Sequence, residues 1–279
     1  MLEPAPNLKP EELLKIGMKH LHEINSNELY KTINNEYLYW DKVKYKKTTL
    51  LPEELWYTVK FSRLLKKQFV NFGKFIFAFT NTDYVLKMLH YFDLNIGGSL
   101  GSNVSIAETE KSRYLISSIM EEAISSSQME GAATTRKKAK EMLQKELKPK
   151  NRSEQMILNN YETIQHITQH KDDDLTFENL LYIHSLITKN TLDKSEDEGV
   201  FRSNDDVYVV NHSTSEVVHK PPHFGEIKEL LTSLCNFFNK DTGEFIHPII
   251  KGIIIHFMIA WIHPFTDGNG RTARTLFYW

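Results

Sequence analysis

The reading turns on two adjoining stretches, Ile249-Ile250-Lys251-Gly252-Ile253-Ile254-Ile255-His256-Phe257-Met258-Ile259-Ala260-Trp261-Ile262 and His263-Pro264-Phe265-Thr266-Asp267-Gly268-Asn269-Gly270-Arg271-Thr272-Ala273-Arg274. The first is the most apolar run of the chain. Lys251, Gly252 and His256 interrupt it and it falls short of the roughly 20 residues that span a bilayer, so it reads as a buried core helix. In the second, Pro264 stops that helix, and Gly268 and Gly270 let the backbone turn tightly with its N–H groups free to face an anion. A new helix beginning near Asn269 adds the partial positive charge of its N-terminus. Arg271 and Arg274, three apart, share one face of that helix and can each grip phosphate oxygens. Asp267 offers a hard oxygen for Mg²⁺, and His263 can take a proton from an incoming hydroxyl near neutral pH. Each piece alone reads as turn punctuation. Together they form a set for attack on a phosphoryl centre, where positioning and charge stabilisation carry the catalysis.

Outward from this segment the chain reads as helices. Helical periodicity covers Glu11–Glu23, Pro52 to about Lys67, Asp83–His90 and Glu108–Met129, the last stopped by Gly131. Thr134 or Thr135 can cap a helix through about Leu147, Ser153 one reaching His170, and Thr176 one ending at Leu186 or Ile187. Phe224–Phe238 continues the pattern, whereas Leu29–Trp40 is ambiguous between helix and irregular chain. The only β-rich alternation is read in Tyr208, Val209 and Val210 and again in Val217 and Val218, a small hairpin. Gly97–Ser102 breaks the pattern and marks a domain boundary or mobile loop. The expected architecture is therefore all-α: a helical region over residues 1–100, then a helical bundle with one hairpin over 101–279. The run Arg136–Lys140 could meet phosphates but reads as a solvated helix face, and Asp172–Asp174 reads as a turn rather than a metal site.

The 279 residues are 41% apolar and 25% charged, enough for a sizeable core. A net charge of −2 argues against a general nucleic-acid footprint, which calls for a basic face. The single cysteine, Cys235, fits a reducing compartment, and the N-terminus lacks the basic start and apolar run of a signal peptide. The expectation is a cytoplasmic protein with no membrane partner.

The segment His263–Arg274 resembles the defining motif of the Fic family, H-P-F-x-[DE]-G-N-G-R-x-x-R, at every fixed position. The resemblance implies a Fic-type helical bundle that uses ATP and Mg²⁺ to move AMP onto a Ser, Thr or Tyr hydroxyl of a target protein, which could be the protein itself, in a signalling role. It implies His263 as general base, Asp267 as Mg²⁺ ligand, and Gly268, Asn269 and Gly270 as an anion hole. Asn269 and Arg271 would hold the α- and β-phosphates, Arg274 the γ-phosphate, and Phe265 would be buried support. Gly199–Arg202 is similar to the family's G-x-x-R stretch, and Tyr208, Val209, Val210, Val217 and Val218 fall where its hairpin flap aligns the target by strand addition. Tyr182–Ile187 with His184 resembles another family helix; His184 and His256 read as core or supporting histidines. Ser126-Ser127-Gln128-Met129-Glu130-Gly131 resembles the family's inhibitory pattern [ST]-x-x-x-E-[GN], with Ser126 and Glu130 on one helix face and Gly131 closing it. Glu130 would then pair with Arg274 and keep ATP from binding productively.

The N-terminal region resembles the Fic-associated domain only through Tyr39-Trp40-Asp41 and Pro52–Trp56. The chain ends five residues after Arg274, inside the helix that carries it, where relatives continue, so truncation of the C-terminal part is expected. The same machinery also suits removal of AMP from a modified protein, another nucleotidyl or phosphoryl transfer, or a nucleotide-sensing regulator without chemistry. A homodimer is compatible with each.

Overall fold

The computed structural model describes residues 3–7, 9–97, 108–211, 213–240 and 245–279. Two compact units divide the chain, Met1–Ser102 and Asn103–Trp279. Most of the Gly97–Ser102 break, and His212 within the expected hairpin, lie outside the described residues.

The first unit comprises α1 (Pro10–Lys19), α2 (Leu21–Ser26), α3 (Glu28–Asn35), α4 (Trp40–Val43), α5 (Pro52–Leu64), the strands β1 (Gln68–Phe72) and β2 (Phe75–Phe79), and α6 (Asp83–Phe92). Its core gathers Tyr30, Ile33, Trp40, Val43, Leu55, Trp56 and Val59 around α5. Helix α1 approaches α5 at Gly17, where an added Cβ would lie 2.1 Å from the Phe61 ring. Three sequence expectations are corrected here. The helix expected over Glu11–Glu23 breaks at His20, and α5 stops at Leu64 instead of Lys67. A second hairpin follows, β1 pairing antiparallel with β2 through Phe69↔Ala78 and Phe72↔Phe75 around Gly73, whose φ is +53°. Its strands are built on phenylalanines, residues that favour the pleated surface as β-branched ones do.

The second unit comprises α7 (Glu108–Met129), α8 (Arg136–Gln144), α9 (Arg152–Gln169), α10 (Phe177–Thr188), β3 (Val209–Val210), β4 (Val217–His219), α11 (Ile227–Asn239), α12 (Pro248–Ile262) and α13 (Asn269–Leu276). Among the described residues the fold is thus all-helical apart from two small hairpins. Helix α12 buries Ile254, Ile255, Met258, Ile259 and Ile262 as expected of a core helix, and no helix among the described residues is long and apolar enough to cross a membrane. Thr135 and Thr176 cap α8 and α10. Helix α8 ends at Gln144, ahead of the expected Leu147, with Glu146 in the left-handed region. Ser153 does not cap α9; Asn151 does, its Oδ1 accepting the Glu154 N–H at 2.9 Å, while Ser153 accepts from the Ala133 N–H at 3.1 Å. In the Arg136–Lys140 run, Arg136 and Lys140 pair with Glu121 and Lys138 with Glu154.

Candidate functional site

The loop between α12 and α13 is held from four directions. His263 caps α12 in the left-handed conformation, φ +50° and ψ +59°, at a cost of order 1 kcal/mol or more for a residue with a Cβ. Asn269 closes the loop on itself: its Oδ1 accepts the Phe265 N–H at 3.0 Å and its Nδ2 donates to the Phe265 carbonyl at 2.8 Å. Phe265 is fully buried, and the His184 ring stacks on it at 3.7 Å with 4° between the planes. His184 accepts the Gly199 N–H at Nδ1 and so donates from Nε2 to the Asp267 carbonyl, 2.9 Å away. Burial pushes its pKa down to about 4, so this donor stays neutral. Arg202, itself buried, donates from Nε to the His263 carbonyl at 2.9 Å, and its N–H reaches the Pro264 carbonyl.

Within this frame His263 Nδ1 lies 3.2 Å from the Ala260 carbonyl, an acceptor, which assigns the proton to Nδ1 and leaves Nε2 with its lone pair. Burial, the largest cause, holds the imidazole below its usual pKa. A neutral base results. Gly268 takes φ +80°, and a Cβ there would lie 2.7 Å from Thr188 Cγ2. Its N–H donates to Asp267 Oδ1 at 2.5 Å. The first N–H groups of α13 have no carbonyl partner within the helix, and Glu130 comes close to Gly270 in that turn: a Cβ on Gly270 would meet Glu130 Oε1 at 2.3 Å. A carboxylate oxygen thus stands where an anionic ligand oxygen could stand.

The two arginines are differently used. Arg271 is 2% exposed; its Nη1 donates to the Ile187 carbonyl at 3.0 Å and its Nε is buried without a partner. Arg274 donates from Nε to Ser126 Oγ at 2.7 Å, from Nη2 to the Ser126 carbonyl at 3.2 Å and to Glu130 Oε1 at 2.7 Å. Gly131 ends the turn behind Glu130 at φ +92°. Next to Ser126, Ser127 accepts a bond from Asn160 on α9 at 2.8 Å, which anchors the end of α7. Asn269, expected to face phosphates, has its side chain spent on the loop, which leaves only its backbone N–H for such a use.

An open cavity of about 630 Å³ joins Glu130, His263 and Gly270 to the hairpin residues Tyr208, Val209 and Val210. Strand β3 pairs with β4 through Val209↔His219 and Val210↔Val217. Val217 and Val218 are more than half exposed and do not line the cavity. His219 does line it, donating from Nε2 to the Trp261 carbonyl at 2.8 Å, and sequence reasoning missed it. Only the strand register brings it opposite Val209, and no short motif carries that signal. Asp267 has one carboxylate beside the cradle, and no cluster of three or more His, Cys, Asp or Glu able to hold a metal occurs among the described residues. Such a donor set fits Mg²⁺, which binds through one or two carboxylates plus phosphate oxygens and water, and does not fit a cation caged by protein alone.

Residues 174–279 match the model of the Fic/DOC family. Over 106 residues the chain is 34% identical to a protein adenylyltransferase Fic of Culex quinquefasciatus, covering 38% of this chain and 19% of that protein. The counterpart of Drosophila melanogaster is 33% identical over 103 residues, with 37% and 19% covered. The matched part therefore spans about a fifth of these relatives' length. Among solved structures, Fic-1 from C. elegans superposes with a TM-score of 0.62 at 17% identity, covering 99% of this chain and 72% of that one. A Fic domain containing signaling protein from Bacteroides thetaiotaomicron gives 0.56 at 22% identity, covering 69% and 70%.

Proposed function

We propose, from the match of residues 174–279 to the model of the Fic/DOC family, that this protein transfers AMP from ATP to a hydroxyl of a target protein and is held inactive by its own Glu130. The observation that carries the reading is the meeting of a neutral His263, the α13 N-terminus at Gly268–Gly270, and the Glu130–Arg274 pair in one site. Mg²⁺ would be held by Asp267 and would screen phosphate charge. His263 Nε2 accepts the proton of a Ser, Thr or Tyr hydroxyl. The hydroxyl oxygen bonds to the α-phosphorus, the bond from that phosphorus to the bridging oxygen breaks, and pyrophosphate leaves. The N–H groups of the first turn of α13 and the guanidinium of Arg274 stabilise the charge on the phosphates. The exposed edge of the Tyr208–Val218 hairpin offers backbone groups to which an extended target segment can add.

Inhibition follows from occupancy. While Glu130 Oε1 lies over Gly270 and pairs with Arg274, a triphosphate meets a carboxylate in its cradle and finds the guanidinium engaged. Labelling with ATP carrying radioactive α-phosphate tests this: Glu130→Gly is expected to raise incorporation tenfold or more, and adding His263→Ala to lower it by roughly 10²–10⁴. Incorporation from γ-labelled ATP alone would overturn the reading.

A second activity of the same site is supported by Glu130 lining the same cavity as His263. There its carboxylate can orient water for release of AMP from a modified hydroxyl. Loss of that release in Glu130→Gly, beside gain of transfer, separates the two roles.

A further inference from the structure

The unit Met1–Ser102 holds a second cavity of about 320 Å³ between α2, α3, the end of α5 and the start of α6. Arg63 lines it and is only 4% exposed. Its Nε donates to Asn34 Oδ1 at 3.1 Å, and its Nη2 to the carbonyls of Ile33 at 3.1 Å and Leu38 at 2.8 Å. The Tyr37 ring covers it at 4.1 Å, set there from a backbone at φ +49°. These bonds use one side of the guanidinium fork and leave the edge at Nη1. Burial lowers the pKa of Arg63, and among the described residues no carboxylate offsets that cost.

A buried cation without a counter-charge is expensive, and carbonyls and a π face offset the cost only in part. The surroundings add to the positive potential. Lys31 and Lys66 line the cavity with Arg63 against one lining carboxylate, Asp83 at the start of α6, which lies 3.7 Å from Lys66, while Lys31 pairs with Glu28 at 2.6 Å. Lys60, one turn before Arg63, is held below its usual pKa first by burial and then by the charges of Lys67 and Arg63. The N-terminus of α6, a ten-residue helix capped by Thr82, opens on the same cavity. Thr80, another lining residue, has a buried Oγ1 without a partner. A cavity of this size, concave and polar at one end, is the form a small-molecule site takes.

We propose that this cavity binds a small-molecule oxyanion, a phosphate or carboxylate group received by Arg63 with Lys31 and Lys66 at the mouth. The site is independent of the nucleotide chemistry at Gly268–Gly270. Calorimetric titration of the intact chain with inorganic phosphate and, separately, with malonate tests it, in the natural protein, Arg63→Gln and Lys66→Glu. Both substitutions are in residues that line this cavity and neither is a residue of the α13 cradle, so the difference between proteins reports on this cavity. Loss of a charge-assisted bond is expected to weaken binding about tenfold or more in Arg63→Gln, and severalfold in Lys66→Glu. Phosphate-only binding assigns a phosphorylated ligand, and malonate-only binding a carboxylate. Should Arg63→Gln fail to fold, Lys66→Glu decides, because Lys66 is 60% exposed. Isotherms identical in all three proteins, or no binding of either anion, overturn the proposal.

Discussion

His263 is held as a base by three features: a strained cap, a carbonyl fixing its tautomer, and burial that disfavours its charged form. A base works when neutral, so activity of Glu130→Gly is expected to decline as pH falls through the lowered pKa, with its acidic midpoint below 6.5. A pH–rate profile with its acidic midpoint above 6.5 would contradict this. His184 carries a stability consequence of the same sign. As pH falls, the unfolded chain takes up a proton near 6.5 while the folded protein resists until about 4. Stability is therefore fully present above about 6.5 and lost across that window, by roughly 3 kcal/mol. His166, His256 and His263 shift in the same direction and add to the slope. Urea unfolding at pH 7.5 and pH 5 measures it, and His184→Gln should flatten the difference. The nearness of His263, Asp267 and Arg274 was legible because one segment of twelve residues, His263–Arg274, holds all three. The use of the Asn269 side chain to tie its own loop was not, since nothing in a motif tells a side chain that binds a ligand from one that holds the backbone.

Among the elements, α12 and α13 were legible from an apolar run, a proline and two glycines, and α10 from Thr176. The β1–β2 hairpin was not, because its alternation is aromatic and its turn is Gly73-Lys74 rather than one of the common asparagine or aspartate pairs. The α1–α2 break at His20 likewise leaves no glycine or proline to mark it. Caps one or two residues apart compete for the same orphan N–H groups, which is how Ser153 was read in place of Asn151. Helix α9 follows its cap Asn151 and carries Asn160, which holds Ser127 behind the turn at Glu130. Asn151→Ala is expected to cost about 1 kcal/mol by chemical denaturation; an unchanged midpoint would show that Asn151 contributes nothing as a cap.

For the molecule as a whole, the two units divide the questions. Asn103–Trp279 brings His263, the first turn of α13 and the Glu130 carboxylate into one site, while Met1–Ser102 has its own core and its own cavity, lined by Arg63, Lys31, Lys66 and Asp83. The contact between Glu130 and Arg274 spans 144 residues of sequence, so periodicity and spacing could place each partner on a helix face but could not join them; the family pattern alone suggested the pair. The central claim is that Glu130 occupies the place of a phosphate oxygen over Gly270. Calorimetry of Mg²⁺-ATP binding to the natural protein and to Glu130→Gly tests it most directly. Affinity at least tenfold tighter in Glu130→Gly is the expected result, and equal dissociation constants would contradict the account.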